Sequence, residues 1–334
     1  MIQHATESVP NRSTGYCTDD VARAFMVALD YDRLMPKQDV AIRLAARYLS
    51  FLHDAQLPDG RFHNFMSYDR TWLDEVGTHD SNGRAIWGLG YGVRFAPTPA
   101  WRRVCRKMLD RSLKSLEWLE YPRSEAYTML GLFHALNAQA IPSDRLALRY
   151  LADRSLARFN GHEAQWAWFE SAMTYDNARL PEALLRAGMA LGDAAAIDAG
   201  LQALAFLESV VFVDDVFVPI GSEGWYERGQ DRALYSQQPL EAAAMIDAEL
   251  AAFDASGDPA YLDAALLSFA WYEGRNTEKI PMSHGGGCYD GLERDGPNRN
   301  MGAESTLARL AGAVAVAQIP QARQKSRGWR STAG

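Results

Sequence analysis

Cysteine is scarce. Cys17, Cys105 and Cys288 are the three in 334 residues, widely separated and odd in number. Such a set excludes a disulfide framework, lacks metal-site spacing and suits a reducing compartment. Positive charge is not in excess either: 34 Lys and Arg against 42 Asp and Glu leave a formal net charge of −8. That balance argues against a general affinity for nucleic acid. The opening "MIQHATESVP" has no basic segment followed by an apolar stretch, so it does not read as a signal peptide. The longest apolar run near the C-terminus, "LAGAVAVAQI", is about half the length of a bilayer span. The expected location is the cytoplasm, with no membrane span. Alternating patterns long enough for a major sheet are missing as well; "GRFHNFMSY" and "VVFVDDVFVPI" suggest small hairpins in loops.

What remains is helix. Hydrophobic residues make up 48% and charged residues 23%, the profile of a packed globular chain. Apolar spacings of three and four recur over 18–32, 38–55, 80–95, 99–119, 123–138, 143–158, 180–191, 192–210, 236–254, 262–269 and 300–317. Two kinds of helix alternate. "PLEAAAMIDAELAAF" and "AESTLARLAGAVAVA" are small and apolar nearly all round, whereas "AWRRVCRKMLDRSLKSLEWLE" carries a charged face. Helices of the first kind belong inside and those of the second cover them. About six inner helices in alternation with outer ones predict an all-α fold, an (α/α)6 toroid, complete or short of one outer helix. One domain over 1–320 is expected, followed by a polar, basic and disordered tail over 321–334.

Connection lengths are lopsided. Inner-to-outer links near 33–37, 96–98, 139–142 and 255–258 are short, while outer-to-inner links near 56–79, 159–174, 211–235 and 276–299 are long. Long connections in a compact domain are usually functional. In a toroid the long set emerges at one end, where the inner helices start. The inner-helix starts are polar: Thr18-Asp19-Asp20, His79-Asp80-Ser81-Asn82, Arg123-Ser124-Glu125, Tyr175-Asp176-Asn177, Ser236-Gln237-Gln238 with Glu241, and Asn300 with Glu304. Helix capping accounts for single Asp, Ser, Thr and Asn residues there. Capping does not account for Arg23, Arg84 and Arg179, which follow Asp20, Asp80 and Asp176 on helices that should be buried. A buried arginine needs a carboxylate or an anionic ligand. The loops add Trp72, Trp166, Trp168 and Trp225, whose rings suit the apolar faces of sugars, together with Glu170 and Asp290. Glycines 285–287 lack the lysine and spacing of a phosphate-binding loop and read as a lid.

The segments "IQHATESVPNRSTGYCTDDVARA", "THDSNGRAIWGLG", "YDNARLPEALL" and "NRNMGAEST" resemble a bacterial domain of the six-hairpin glycosidase superfamily. The resemblance spans roughly residues 2–317. Such domains are encoded beside, or fused behind, retaining glycosyltransferases and mannoside-processing enzymes, which implies a glycosyltransferase partner. This chain shows no β/α glycosyltransferase domain or nucleotide-sugar site. The matching motifs start almost at Met1, which leaves open a preceding segment, including a helix that would complete the ring. The paired aspartates are also similar to those of six-hairpin α-mannanases.

The leading expectation is a glycosidase-like enzyme acting on an oligosaccharide or glycoside, with mannose-containing glycans in view. One carboxylate would protonate the leaving oxygen and another would activate water or attack directly. Asp20 and Glu170 rank first, then Asp80; Glu170, beside Phe169, is expected in an apolar setting that favours its protonated form. Substrate contacts are expected from Asp19, Arg23, Trp72, His79, Asn82, Arg84, Trp168, Asp176, Arg179, Trp225, Gln238, Asp290, Asn300 and Glu304. Asp20 is expected to face the central cavity and Asp19 to be held by polar groups at the helix end. No cofactor or metal is expected. A sugar epimerase is the second reading; such enzymes share the toroid but use histidine pairs in the pore. Here His79 and His284 lie at the right end, and His134 is on an inner helix near its far end. The third reading is a non-catalytic glycan-binding module serving a glycosyltransferase.

Overall fold

A computed structural model describes residues 1–36, 39–161, 163 and 165–319; the expected tail over 321–334 lies outside the described residues. In chain order the helices are α1 (Thr18–Leu34), α2 (Asp39–Ala55), α3 (His79–Phe95), α4 (Pro99–Ser112), α5 (Pro122–Ala138), α6 (Pro142–Asn160), α7 (Arg179–Leu191), α8 (Ala194–Val211), α9 (Pro239–Ser256), α10 (Ala260–Ala270) and α11 (Ala303–Ala317). Odd-numbered helices pack side by side in sequence, and α11 returns to α1, closing a ring. Each of the five even-numbered helices packs outside the inner helix that precedes it. The fold is the (α/α)6 toroid, short of one outer helix among the described residues.

Local chemistry explains the boundaries. Thr78, Thr98 and Asp193 accept backbone N–H groups at the starts of α3, α4 and α8, and proline occupies the first turn of α4, α5, α6 and α9. Gly192 and Gly257 end α7 and α9 in the left-handed conformation, at φ 68° and 75°. In α2 the buried stripe is Ala41, Ala45, Leu49 and Leu52, one residue per turn. By contrast, α9 buries residues on every side. The outer helix α8 is long and apolar enough, by length and composition, to cross a bilayer. Its buried stripe (Ala196, Ala199, Ala203, Leu204 and Leu207) belongs to the core it shares with α7.

The long connections all meet in front of the inner-helix N-termini. Tyr16–Cys17, just before α1, pairs with Phe65–Met66 of the 56–78 connection. Ala172–Met173 pairs with Tyr226–Glu227, and Gln237 bridges to Leu292. The expected hairpin in "VVFVDDVFVPI" is present, with Phe212–Val213 against Val216–Phe217. Its turn residues Asp214 and Asp215 both take positive φ, as a two-residue hairpin turn requires. "GRFHNFMSY" pairs with the segment before α1 instead of folding wholly on itself. One end of the ring is therefore elaborated, and it is the end where the inner helices begin.

Candidate active site

The arginines expected on the inner helices are paired, Arg84 and Arg179 buried and Arg23 largely so. Arg23 donates to Asp20 at 2.9 Å and reaches across the ring seam to Glu304 of α11 at 2.6 Å. Arg84 of α3 donates to Asp176 at 2.9 Å, and its other nitrogen is 3.8 Å from Glu304. The Tyr127 hydroxyl, projecting from α5, donates to the same Asp176 oxygen at 2.6 Å. Arg179 binds Glu182 at 2.6 Å and Asp247 at 2.8 Å. Glu241 accepts the backbone N–H groups of Asp176 and Asn177, which pins the turn leading into α7. Together these pairs form a continuous ionic layer across the barrel, one turn below the helix starts.

The more open carboxylates are Glu304, at the edge of this layer, Asp80 and Asp19. Glu304 keeps 39% of its side chain exposed. Asp80 accepts the Tyr175 hydroxyl at 2.5 Å. Burial pushes the Asp80 carboxyl above its usual range, and the Asp176 and Asp19 charges add to the shift; the Tyr175 bond and Arg123 oppose it. Asp19 is half-exposed and accepts the Asp20 backbone N–H at 2.9 Å. Asp19 and Asp80 sit in the first turns of the adjacent inner helices α1 and α3, at the elaborated end of the ring. The guanidinium of Arg123 lies over the Tyr175 ring and binds Glu170 at 2.7 Å.

Several expectations are corrected by this geometry. Asp20 does not stand open to the cavity; it is 2% exposed and locked to Arg23, with the Cys17 thiol donating to its other oxygen at 2.9 Å. Burial and the adjacent Asp19 push its carboxyl up. Asp19 is the more open of the pair, the reverse of the expected order. Glu170 lies against Arg123, not in the apolar setting expected from Phe169. Trp168 is 1% exposed and Trp166 is buried, so neither offers a face to a sugar. Trp72 stacks on His63 with centroids 4.8 Å apart and lies edge-on to Phe51 of α2, where it supports the loop from the outer side. Trp225 alone of the four approaches the mouth, 6.3 Å from Tyr175. His79 stacks on Trp118 at 4.0 Å.

Asn82 is buried and hydrogen-bonded to backbone at Phe62, Gly77 and Thr78, fixing the 56–78 connection. Asp290 and Asn300 bind each other; Asp290 also takes the Gly302 N–H, and Asn300 takes the Ala5 N–H. These two fasten the approach to α11 rather than project into the mouth. Gln238 is half-buried at the head of α9. Glu125 faces outward and is held by Arg154 and Arg158 of α6. Cys17, Asp19 and Asp20 bring possible metal ligands within 4.8 Å of one another. The donor set does not fit a cation well: burial and two carboxylates hold the Cys17 thiol protonated, and Asp20 is already paired with Arg23.

Sequence reading missed Tyr127, Glu182 and Asp247, and placed Tyr175 and Glu241 at inner-helix starts without assigning them a role. A tyrosine within the otherwise small, apolar α5 was the available signal for Tyr127. The acids looked like ordinary first-turn or surface residues until the ring brought their arginines in from neighbouring helices. The expected central cavity has a volume of about 660 Å³; its reach, from Arg23, Arg84 and Asp176 down to the last turns of the inner helices, was not foreseen.

The same toroid is found in solved sugar enzymes. The chain is similar to cellobiose 2-epimerase from Bacillus thermoamylovorans, with a TM-score of 0.73 at 12% identity, covering 94% of this chain and 91% of that one. It is similar to a D-mannose isomerase with a TM-score of 0.68 at 13% identity, covering 96% and 92%. A family-76 α-mannanase from Bacteroides thetaiotaomicron gives 0.61 at 10% identity, covering 92% and 87%. These likenesses establish the fold. No family model and no curated relative matches the sequence.

Proposed function

We propose that this chain is a carbohydrate-active enzyme that cleaves a glycosidic bond at the mouth formed by the inner-helix N-termini. Asp80 is the proton donor and Asp19 its carboxylate partner. The observation that carries the reading is Asp80 itself: a half-open carboxyl held by the Tyr175 hydroxyl and pushed up by burial and by two neighbouring acids. A general acid must hold its proton near working pH; burial and the two acids move Asp80 in that direction, against the Tyr175 bond and Arg123. Glu304, held by Arg23 and half-open, is placed to accept sugar hydroxyls, and Trp225 is the ring nearest the mouth. Mannose-containing glycans are the first substrates to try, supported by the motif resemblance and by the mannanase among the similar structures.

Epimerisation is the competing reading, supported by the similarity to a cellobiose epimerase and a mannose isomerase. It calls for a histidine pair. Among the described residues lining the barrel cavity, His134 is the one histidine; it is half-buried at the far end, and desolvation and three nearby arginines favour its neutral form. A glycosyltransferase partner rests on the resemblance alone. The cytoplasm remains our proposed compartment, consistent with three free, buried cysteines.

Incubating the protein with mannooligosaccharides in heavy water and following the products by NMR separates the readings. Cleavage releases a new reducing end without deuterium at C2, whereas epimerisation incorporates deuterium without cleavage. Asp80→Asn should lower hydrolysis by about 10²-fold or more with the melting temperature nearly unchanged. A fully active Asp80→Asn protein, or deuterium exchange in place of cleavage, overturns the proposal.

A further inference from the structure

The cavity's far end is a second mouth. Its rim is formed by the last turns of the inner helices, and the Arg33 and Asp254 side chains there are 43% and 52% exposed. Six arginines and five carboxylates line the whole space. Each carboxylate is already engaged by an arginine: Asp30 by Arg33, Asp254 by Arg186, and the others by the ionic layer described above. Arg94 is the exception. Among the described residues it has no carboxylate within ion-pair distance; its contact is with the half-buried His134 ring at 3.4 Å. Arg33 shares the Phe95 ring with it, and Arg186 shares that of Phe133.

Placement in the last turn of α3 lets Arg94 complement the helix dipole, as Arg33 does on α1. That does not explain three guanidiniums gathered around one histidine. Aromatic rings hold their planes: Arg33 and Arg94 lie 3.9 and 4.7 Å from the Phe95 centroid, and Arg186 lies 5.4 Å from that of Phe133. A guanidinium flattened on a ring keeps its N–H edge free for an oxyanion. Deeper in, Trp87 also lines the cavity, and its buried indole N–H has no acceptor among the described residues. The space has an excess of donors. Its size and mostly apolar wall match a small-molecule pocket.

We propose that this far mouth binds a sugar-sized oxyanion, its carboxylate or phosphate group anchored by Arg94 and its ring body lying on the apolar wall. The site is separate from the acid-lined mouth at the other end. Its test reads binding alone, so a failure of the glycosidase proposal leaves it standing.

The test is calorimetric titration of the full chain with D-glucuronate, D-glucose 6-phosphate and D-glucose. At least one charged sugar should bind while glucose does not, and the one that binds identifies the head group. Arg94→Gln should weaken that binding about tenfold or more, the loss of one charge-assisted contact. Arg94→Lys should recover part of it. Ala311→Phe, which places a ring in the cavity and leaves the arginines intact, should block it. Binding of glucose as strong as that of the charged sugars overturns the proposal. So does absence of binding by either charged sugar at millimolar concentration, or full retention of binding in a folded Arg94→Gln protein.

Discussion

Glu241 shows what the ionic layer costs. It is buried, and burial together with the Asp176 charge pushes its carboxyl up from 4.5 to about 8, against the two backbone N–H groups that favour the charged form. A group whose folded-state pKa is raised contributes stability that is present below the unfolded value and lost as pH rises through the folded one. Between about pH 5 and pH 8.5, the native chain should therefore lose stability relative to Glu241→Gln, on the order of a few kcal/mol. Urea denaturation of both proteins at the two pH values checks this; parallel curves would show that Glu241 titrates normally. Tyr175 makes the complementary case at Asp80. Its hydroxyl stabilises the charged carboxylate, so Tyr175→Phe should raise the Asp80 pKa further and move the alkaline limb of the activity profile to higher pH. A limb that stays in place, or moves to lower pH, would remove Asp80 from the proton-donor role.

At the scale of elements, the contact between α3 and α5 depends on glycine. Four glycines within one helix are unfavourable by about 1 kcal/mol each relative to alanine, yet α3 carries Gly83, Gly88, Gly90 and Gly92. A Cβ at Gly90 would stand 2.0 Å from the Gly131 carbonyl oxygen, and one at Gly83 would stand 2.6 Å from that of Ser124. The two backbones touch there. Gly88 differs, because its nearest neighbour would be the Ala22 methyl at 3.4 Å. Gly90→Ala should therefore lower stability by about 3 kcal/mol or more, since the backbone of α5 cannot give way. Gly88→Ala should stay within about 1 kcal/mol of the native protein, the helix gain offsetting the tight contact. Thermal melts of the pair decide it, and equal losses would refute the close-contact account.

For the whole molecule, the seam between α11 and α1 decides whether the ring stays closed. Arg23 spans it to Glu304, and the first residues stitch it from above. Ala303 donates to Gln3, Met301 to Glu7 and Ala5 to the Asn300 side chain. Removing residues 1–11 deletes these bonds, each contributing about 1 kcal/mol. Hydrogen exchange should then rise first in the opening turns of α11 and α1, with α5 and α7 unaffected. Uniform exchange across all inner helices would mean that the seam is no weaker than the rest of the ring.

Periodicity, together with proline and glycine at the breaks, was enough to order the helices into inner and outer sets. Uneven connection lengths located the elaborated end. These are local properties, carried by neighbours in sequence. Which polar side chain ends up free is not local. Arg23 meets Glu304 from 281 residues away, and Arg84 meets Asp176 from 92 away. Asp20 is the local exception: Cys17 and Arg23, which occupy both its oxygens, each lie three residues away, so its engagement was within reach of the sequence and its ranking as the chemical member overlooked it. Trp168 looked like a platform because its burial depends on a core built from α5 to α11. A side chain's availability depends on what the rest of the ring leaves unpaired, and only closure of the ring determines that.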